Sequence, residues 1–221
     1  LTNEYRISTC ADNRKAVQNA ELVILAVKPG NLRHVMEDIK GLAPEQLVLS
    51  IVAGATLTIL SRGLDHTAIV RAMPNMPAQI GQGMTVWTAA AGTKQKQKEL
   101  AQTVLGALGR ELYVADEKYL GMATALSGSG PAYVFLFIEA LVDAGVHIGL
   151  PRDVAQQLVT QTILGSTITV DKTGKHPADL RNTVTSPGGT TTEALLHLEK
   201  GGFRSLLLEA VAAAYQKAEH L

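Results

Sequence analysis

Cysteine is almost missing from this 221-residue chain: Cys10 is the only one. A disulfide framework and a thiolate metal site within one chain are thereby excluded, and a reducing cytoplasm is the simplest setting. Cys10 itself reads as an inert thiol, with a reactive one as the alternative. An excess of either charge is missing too. Twenty basic residues balance twenty acidic ones, so no long-range field is built for nucleic acid or for an anionic membrane. The only local basic run, Lys94, Lys96 and Lys98, alternates with glutamine and reads as a solvated helix start. No apolar run reaches the length of a bilayer span, and no signal-peptide pattern opens the chain. The longest apolar stretch, Ala132 to Val142, is interrupted by Glu139 and reads as a buried helix. The six histidines (His34, His66, His147, His176, His197 and His220) show no paired ligand spacing, so no metal is expected. A serine-hydrolase elbow is absent. So is G-x-G-x-x-G: neither Gly81-Gln-Gly83 nor Ser127-Gly-Ser-Gly-Pro131 has its spacing.

What is present divides the chain in two. With 46% hydrophobic and 18% charged residues there is material for one large domain or two smaller ones. The first half alternates strand-like runs with helical spacing. Glu21 to Val27, Leu47 to Val52 and Ala68 to Ala72 are continuous apolar runs of the kind buried on both faces of a parallel sheet. Met84 to Trp87 and Glu111 to Val114 extend the set. Between them, Asn31 to Gly41, Leu57 to Arg62 and Gln95 to Leu108 carry helical periodicity. The order implies an α/β, doubly wound (Rossmann-like) parallel sheet over residues 1–115. From about Asp116 strand-like runs stop. Helices are expected over Ser129 to Val146, Pro151 to Val170, Thr190 to Lys200 and Phe203 to Ala218, making residues 116–221 an all-α domain.

A doubly wound sheet binds ligand at the carboxyl ends of its strands. Three turns there carry suitable residues. Ala26-Val-Lys-Pro29 and Ile51-Val-Ala-Gly54 are small-residue turns; by residue type alone each is an ordinary strand exit or a close approach to a cofactor. Arg71-Ala-Met-Pro-Asn-Met-Pro77 is stiffened by two prolines; it is an active-site wall or a structural crossover. In the helical half, Thr183 to Glu193 is a hydroxyl- and glycine-rich loop entering a helix. Thr190 and Glu193 have capping-box spacing, which predicts Thr190 as N-cap and leaves Thr191 at the first helical position, free to face a ligand. Open N–H groups at that start would suit a small carboxylate. A plain capped inter-helix turn is the other reading.

These segments, in this order, resemble the pyrroline-5-carboxylate reductase family. The matching motifs are Ala26 to Pro29, Ile51 to Gly54, Arg71 to Asn75, Leu126-Ser-Gly-Ser-Gly-Pro-Ala-Tyr133, Val184-Thr-Ser-Pro-Gly-Gly-Thr-Thr191 and Gly201-Gly-Phe-Arg-Ser205. Six in register cover essentially the whole chain. The resemblance implies reduction of the cyclic imine 1-pyrroline-5-carboxylate to L-proline by hydride transfer from NADPH or NADH, the last step of proline biosynthesis. It implies Thr191 as the catalytic hydroxyl, at the imine nitrogen. Ser186, Gly188, Gly189, Thr190 and Thr191 would bind substrate, with Glu117 near the same site. The cofactor set it implies is Asn13, Ala26, Val27, Lys28, Pro29, Val52, Ala53, Gly54 and Thr183, the last standing where family members can have asparagine. It also implies a cytoplasmic enzyme that self-associates as a dimer and in larger rings through its helical half.

One departure is large. The family opens with a strand, a glycine-rich turn and a helix that cradle the pyrophosphate. This sequence starts after them, about 30 or more residues in, so the expected sheet is incomplete at its N-terminal side. A chain lacking that segment is expected to lose cofactor binding and activity. Two rival readings remain. A β-hydroxyacid dehydrogenase-like reductase would carry a catalytic lysine on the inter-domain helix, yet no lysine lies between Gly121 and Gly149. A non-catalytic dinucleotide sensor or assembly module would have no use for Thr190, Thr191 and their glycine loop.

Overall fold

Buried apolar runs become adjacent strands, as their lack of polar alternation requires. The computed structural model describes residues 5–220. Its sheet runs β1 (Leu22–Leu25), β2 (Leu47–Ser50), β3 (Ile69–Met73), β4 (Gly83–Ala89) and β5 (Gly109–Tyr113), in that spatial order. β1, β2 and β3 are parallel, with Leu25 opposite Ser50 and Ser50 opposite Arg71. Crossovers between them are α2 (Pro29–Asp38) and α3 (Leu57–Leu64); a short α1 (Asn13–Ala16) precedes β1. α4 (Gln95–Gly106) joins β4 to β5, which are again parallel.

The sheet is not parallel throughout. β3 and β4 pair antiparallel, with Arg71 opposite Thr88. The physical reason lies in the connection. Between Met73 and Gly83 there is only a 3-10 turn, Met76–Ile80, and a parallel pair needs a crossover of a dozen or more residues. The strand-to-strand segment was therefore too short for the arrangement read from the β-α-β order.

Successive residues of β2 feed opposite faces, the consequence of its period of two. Val48 packs with Val23, Leu25, Leu32, Met36, Leu60 and Leu64. Leu47 and Leu49 pack with Val70, Trp87, Ala101 and Leu105. Helices α2 and α3 thus cover one face and α4 the other, giving three layers. Truncating Leu47, Leu49 or Leu60, all essentially inaccessible, would cost about 2–5 kcal/mol each.

The chain clusters into two compact units: residues up to Ser129 together with those from Ala214 onward, and Gly130–Ala213. Before the break lie α5 (Lys118–Ala123) and a π-turn, Thr124–Gly128, closed by Ser129 N–H on Thr124 O at 2.8 Å. A loop read from Ser127-Gly-Ser-Gly130 is therefore helical, and α6 (Gly130–His147) continues it. The second unit also holds α7 (Arg152–Thr173), α8 (Pro177–Thr183), α9 (Thr190–Lys200) and most of α10 (Phe203–Ala218). α8 is a helix that periodicity did not signal.

This joining overturns the reading that no stretch reaches span length. Residues 118–147 form one helical stretch of 30, long and apolar enough to cross a membrane by length and composition alone. The reading of Ala132 to Val142 as buried also fails within the chain: Phe135 is 51% and Leu136 66% exposed, and of α6 only Val142 is buried. Among the described residues, Val142 and Ala155 are the only buried hydrophobics of the second unit. Exposed apolar helix faces of this kind mark interaction surfaces.

Candidate active site

Because β1 and β2 run parallel in register, their exits lie side by side. Ala26, Val27 and Lys28 lead directly into α2, where Pro29 takes the first helical position; its missing N–H costs nothing there. At the neighbouring exit, Ser50 Oγ accepts from Val52 N–H at 3.2 Å, Ala55 N–H donates to Val52 O at 3.3 Å, and Gly54 adopts φ 75°. The N–H groups of Ala53 and Gly54 have no acceptor among the described residues. Small residues with open amides, next to two helix starts, fit a phosphorylated dinucleotide. Asn13 lies on the outer side of β1, where it lines a cavity of about 240 Å³ with Val17, Leu22 and Val35. Its Nδ2 donates to Asp38 Oδ2 at 3.0 Å.

The third turn resolves toward structure. Arg71 is 8% exposed, and its Nη1 donates to Glu117 Oε1 at 2.7 Å. The same oxygen accepts from Leu57 N–H at 2.7 Å. Asn75 accepts from Met84 N–H at 2.9 Å and donates to Ser127 O at 3.2 Å. Both polar side chains read as a possible active-site wall thus hold backbone or a carboxylate. Beside them, the Lys118 ammonium hydrogen-bonds Asp116 and holds its carboxyl below the usual value. Among the described residues no cluster of His, Cys, Asp or Glu could hold a metal ion.

The hydroxyl-rich loop lies in the second unit, as does Thr183, whose hydroxyl donates to Leu180 O at 2.6 Å. The capping box is not formed. Gly189, extended at φ −80°, ψ 164°, is the N-cap of α9, and no side chain caps the helix. Thr190 and Thr191 become its first two residues. Glycine has no side chain to reach N3, so the loop is tied differently: Thr192 Oγ1 donates to Ser186 O at 2.6 Å, and Gly189 N–H to the same oxygen at 3.0 Å. Gly188 takes φ 67°, a conformation costly for other residues. The N–H groups of Gly188, Thr190, Thr191 and Thr192 have no acceptor among the described residues, and neither does the Thr191 hydroxyl. The result is a half-turn of open donors with one free hydroxyl.

The residues expected to work together are thus divided. Those of the strand exits meet in the first unit, and Ser186 to Thr191 in the second. The sequence reading missed Thr192 as the tie of the loop and the three-way contact of Arg71, Glu117 and Leu57. Only the length of Arg71 in an otherwise apolar strand signalled the latter.

Residues 117–221 match the family model described as pyrroline-5-carboxylate reductase dimerisation, and residues 1–54 that described as NADP oxidoreductase coenzyme F420-dependent. A pyrroline-5-carboxylate reductase of Synechocystis sp. is 44% identical over 221 residues, covering 100% of this chain and 82% of the relative. The Escherichia coli enzyme of that name is 40% identical over 223 residues, with the same coverage. Among solved structures, a pyrroline carboxylate reductase of Plasmodium falciparum with NADP bound superposes with a TM-score of 0.91 at 33% identity, covering 98% of this chain and 83% of that one.

Proposed function

The chain belongs to the pyrroline-5-carboxylate reductase family, and from that premise we propose that it reduces 1-pyrroline-5-carboxylate to L-proline with NAD(P)H. The reduced nicotinamide, when bound, supplies the hydride taken up by the imine carbon. A protonated imine is already electrophilic, so the chain's own task is to bind, orient and exclude water. Thr191 Oγ1 would hydrogen-bond the ring nitrogen, which passes from imine to secondary amine. The open N–H groups of Gly188, Thr190 and Thr191, in the loop that Ser186 and Gly189 shape, would hold the carboxylate at the positive end of α9. Ala26, Val27, Lys28, Pro29, Val52, Ala53 and Gly54 would line the cofactor, with Asn13 and Thr183 as outlying contacts. Of the expected substrate set, Glu117 alone lies outside this loop and has its Oε1 already committed.

The observation that carries the proposal is the start of α9. Four N–H groups without an acceptor among the described residues lie within five residues of one another, beside the Thr191 hydroxyl; any helix start leaves such donors open, and here the glycine-rich loop and the hydroxyl beside them suit the carboxylate and ring nitrogen of a small cyclic amino acid. The dehydrogenase-like and non-catalytic readings are not favoured. Residues 116–221 would be the substrate and dimerisation half and residues 1–115 the dinucleotide half. The chain self-associates through the family's dimerisation region; exposed apolar residues of α6 and α10 such as Phe135, Leu136, Leu206 and Leu208 suit that contact, and assembly into rings larger than the dimer rests on the family resemblance. A reducing cytoplasm suits the single free thiol, and the balanced charge supports neither a nucleic-acid nor a membrane partner.

The test is consumption of NADPH on adding 1-pyrroline-5-carboxylate, with proline identified as the product. Consumption matched by proline is the expected result. A protein that binds NADPH but forms no proline would overturn the reading.

A further inference from the structure

Resting on the assignment of Val52, Ala53 and Gly54 to the cofactor, we infer that Glu117 and Arg71 are positioning residues for the cofactor loop and not members of the substrate site. Leu57 is the first residue of α3, and only Ala55 and Thr56 separate it from Gly54. The leading N–H groups of a helix have no partner inside it. Thr56 Oγ1 serves Ile59 N–H at 3.2 Å, which leaves Leu57 N–H to an acceptor from elsewhere. Glu117 supplies it from 60 positions away, at 2.7 Å. A carboxylate at the positive end of a helix is also favourable electrostatically.

Arg71 makes that carboxylate stiff. It stands in the middle of β3, in register between Ser50 and Thr88. Its bond to Glu117 is the only hydrogen bond of its side chain among the described residues, and its Nε is buried without a partner. Side-chain exposure is 9% for Arg71 and 28% for Glu117, so this is not a solvent-screened surface pair. Ser50, beside Arg71, holds Val52 N–H at the other end of the loop. Residues 51–57 are therefore tied at both ends to the Arg71 neighbourhood, while the Ala53 and Gly54 amides between the ties stay open. A loop that offers fixed amides to a charged ligand gains affinity from being held in place beforehand.

Removing Glu117 alone would strand a buried charge and endanger folding, so the test uses paired variants. Arg71→Met with Glu117→Ala removes both charges and the acceptor. Arg71→Met with Glu117→Gln removes both charges but keeps a carbonyl oxygen for Leu57 N–H. The alanine pair is expected to raise the KM for NADPH about tenfold, near the ratio that one hydrogen bond is worth, and to leave the KM for 1-pyrroline-5-carboxylate within about twofold. Leu57 amide exchange should accelerate by a similar factor. The glutamine pair should return the NADPH KM and Leu57 exchange toward the wild-type values, a rescue that loss of general stability would not show. An unchanged NADPH KM in the alanine pair overturns the proposal; if the 1-pyrroline-5-carboxylate KM rises instead, Glu117 is a substrate contact. Equal NADPH KM increases in both pairs also overturn it. Gly54→Val separates the premise from the proposal. If that variant raises the NADPH KM and the alanine pair does not, only the positioning role falls; if Gly54→Val leaves it unchanged, the cofactor-loop assignment falls and the proposal with it.

Discussion

Asn75 Nδ2 donates to the main-chain oxygen of Ser127 at 3.2 Å, the carbonyl that Pro131 leaves without its helical donor. In an unbroken helix the N–H of residue 131 would bond Ser127 O, and proline has none. The π-turn at Thr124–Gly128 and the amide of Asn75 are the two adjustments that satisfy the backbone here. Asn75 Oδ1 accepts Met84 N–H as well. Asn75→Ala should therefore lower stability by about 2–3 kcal/mol, two hydrogen bonds' worth. Urea unfolding followed by the fluorescence of Trp87, the only tryptophan, will measure it. An unchanged midpoint would remove Asn75 from the support of the fold.

Pro131→Ala restores an N–H four residues after Ser127. The stability lost on Asn75→Ala should then be smaller, by a coupling of about 1 kcal/mol, in the Pro131→Ala background. Additive losses in the double-mutant cycle would mean that the two donors do not compete for the Ser127 oxygen.

Thr191→Ala should lower kcat about 10- to 100-fold, the range of one hydrogen bond to a charged group, with little change in NADPH affinity. Steady-state kinetics and a cofactor titration on the same sample check this. Wild-type turnover in the variant would exclude the hydroxyl from the mechanism.

Gly189→Val should weaken binding of 1-pyrroline-5-carboxylate more than that of cofactor. A Cβ at Gly189 would come within 2.4 Å of Ser186 Oγ, so the loop must move and its open amides with it. The measurement is the KM of each substrate; unchanged saturation by the imine would argue against the carboxylate cradle.

Phe135→Glu combined with Leu136→Glu places charge on the exposed apolar face of α6. Sedimentation should show loss of self-association, since a desolvated carboxylate in an interface costs several kcal/mol. An assembly as tight as the wild type would place the contact on another face.

Much of the fold was legible because short apolar runs bounded by glycine and proline have few alternatives. Each strand of the sheet falls within two residues or so of its apolar run, and α9 and α10 begin and end where periodicity put them. The direction of β4 was less legible: it depends on the length of a connection, and Met76–Ile80 looks like any turn until its partner strand is known. In the candidate site, the glycine-hydroxyl loop was visible as composition. Its capping was misplaced by one residue, because Thr190 and Glu193 have the right spacing whether or not the backbone at Gly189 is the one that turns.

By itself the sequence determined the succession of elements, the change from alternating strands to helices, and the loops that carry small residues and hydroxyls. These follow from local properties: periodicity, the missing N–H of proline, the freedom of glycine. The tertiary structure alone decided that Arg71 and Glu117 meet across 46 positions, that Asn75 finds the carbonyl orphaned by Pro131, and that α6 turns its phenylalanines outward. Those depend on which distant groups must be satisfied or covered once the chain is packed. Hydrogen-bond partners and buried faces are properties of pairs of segments, and no single segment encodes them.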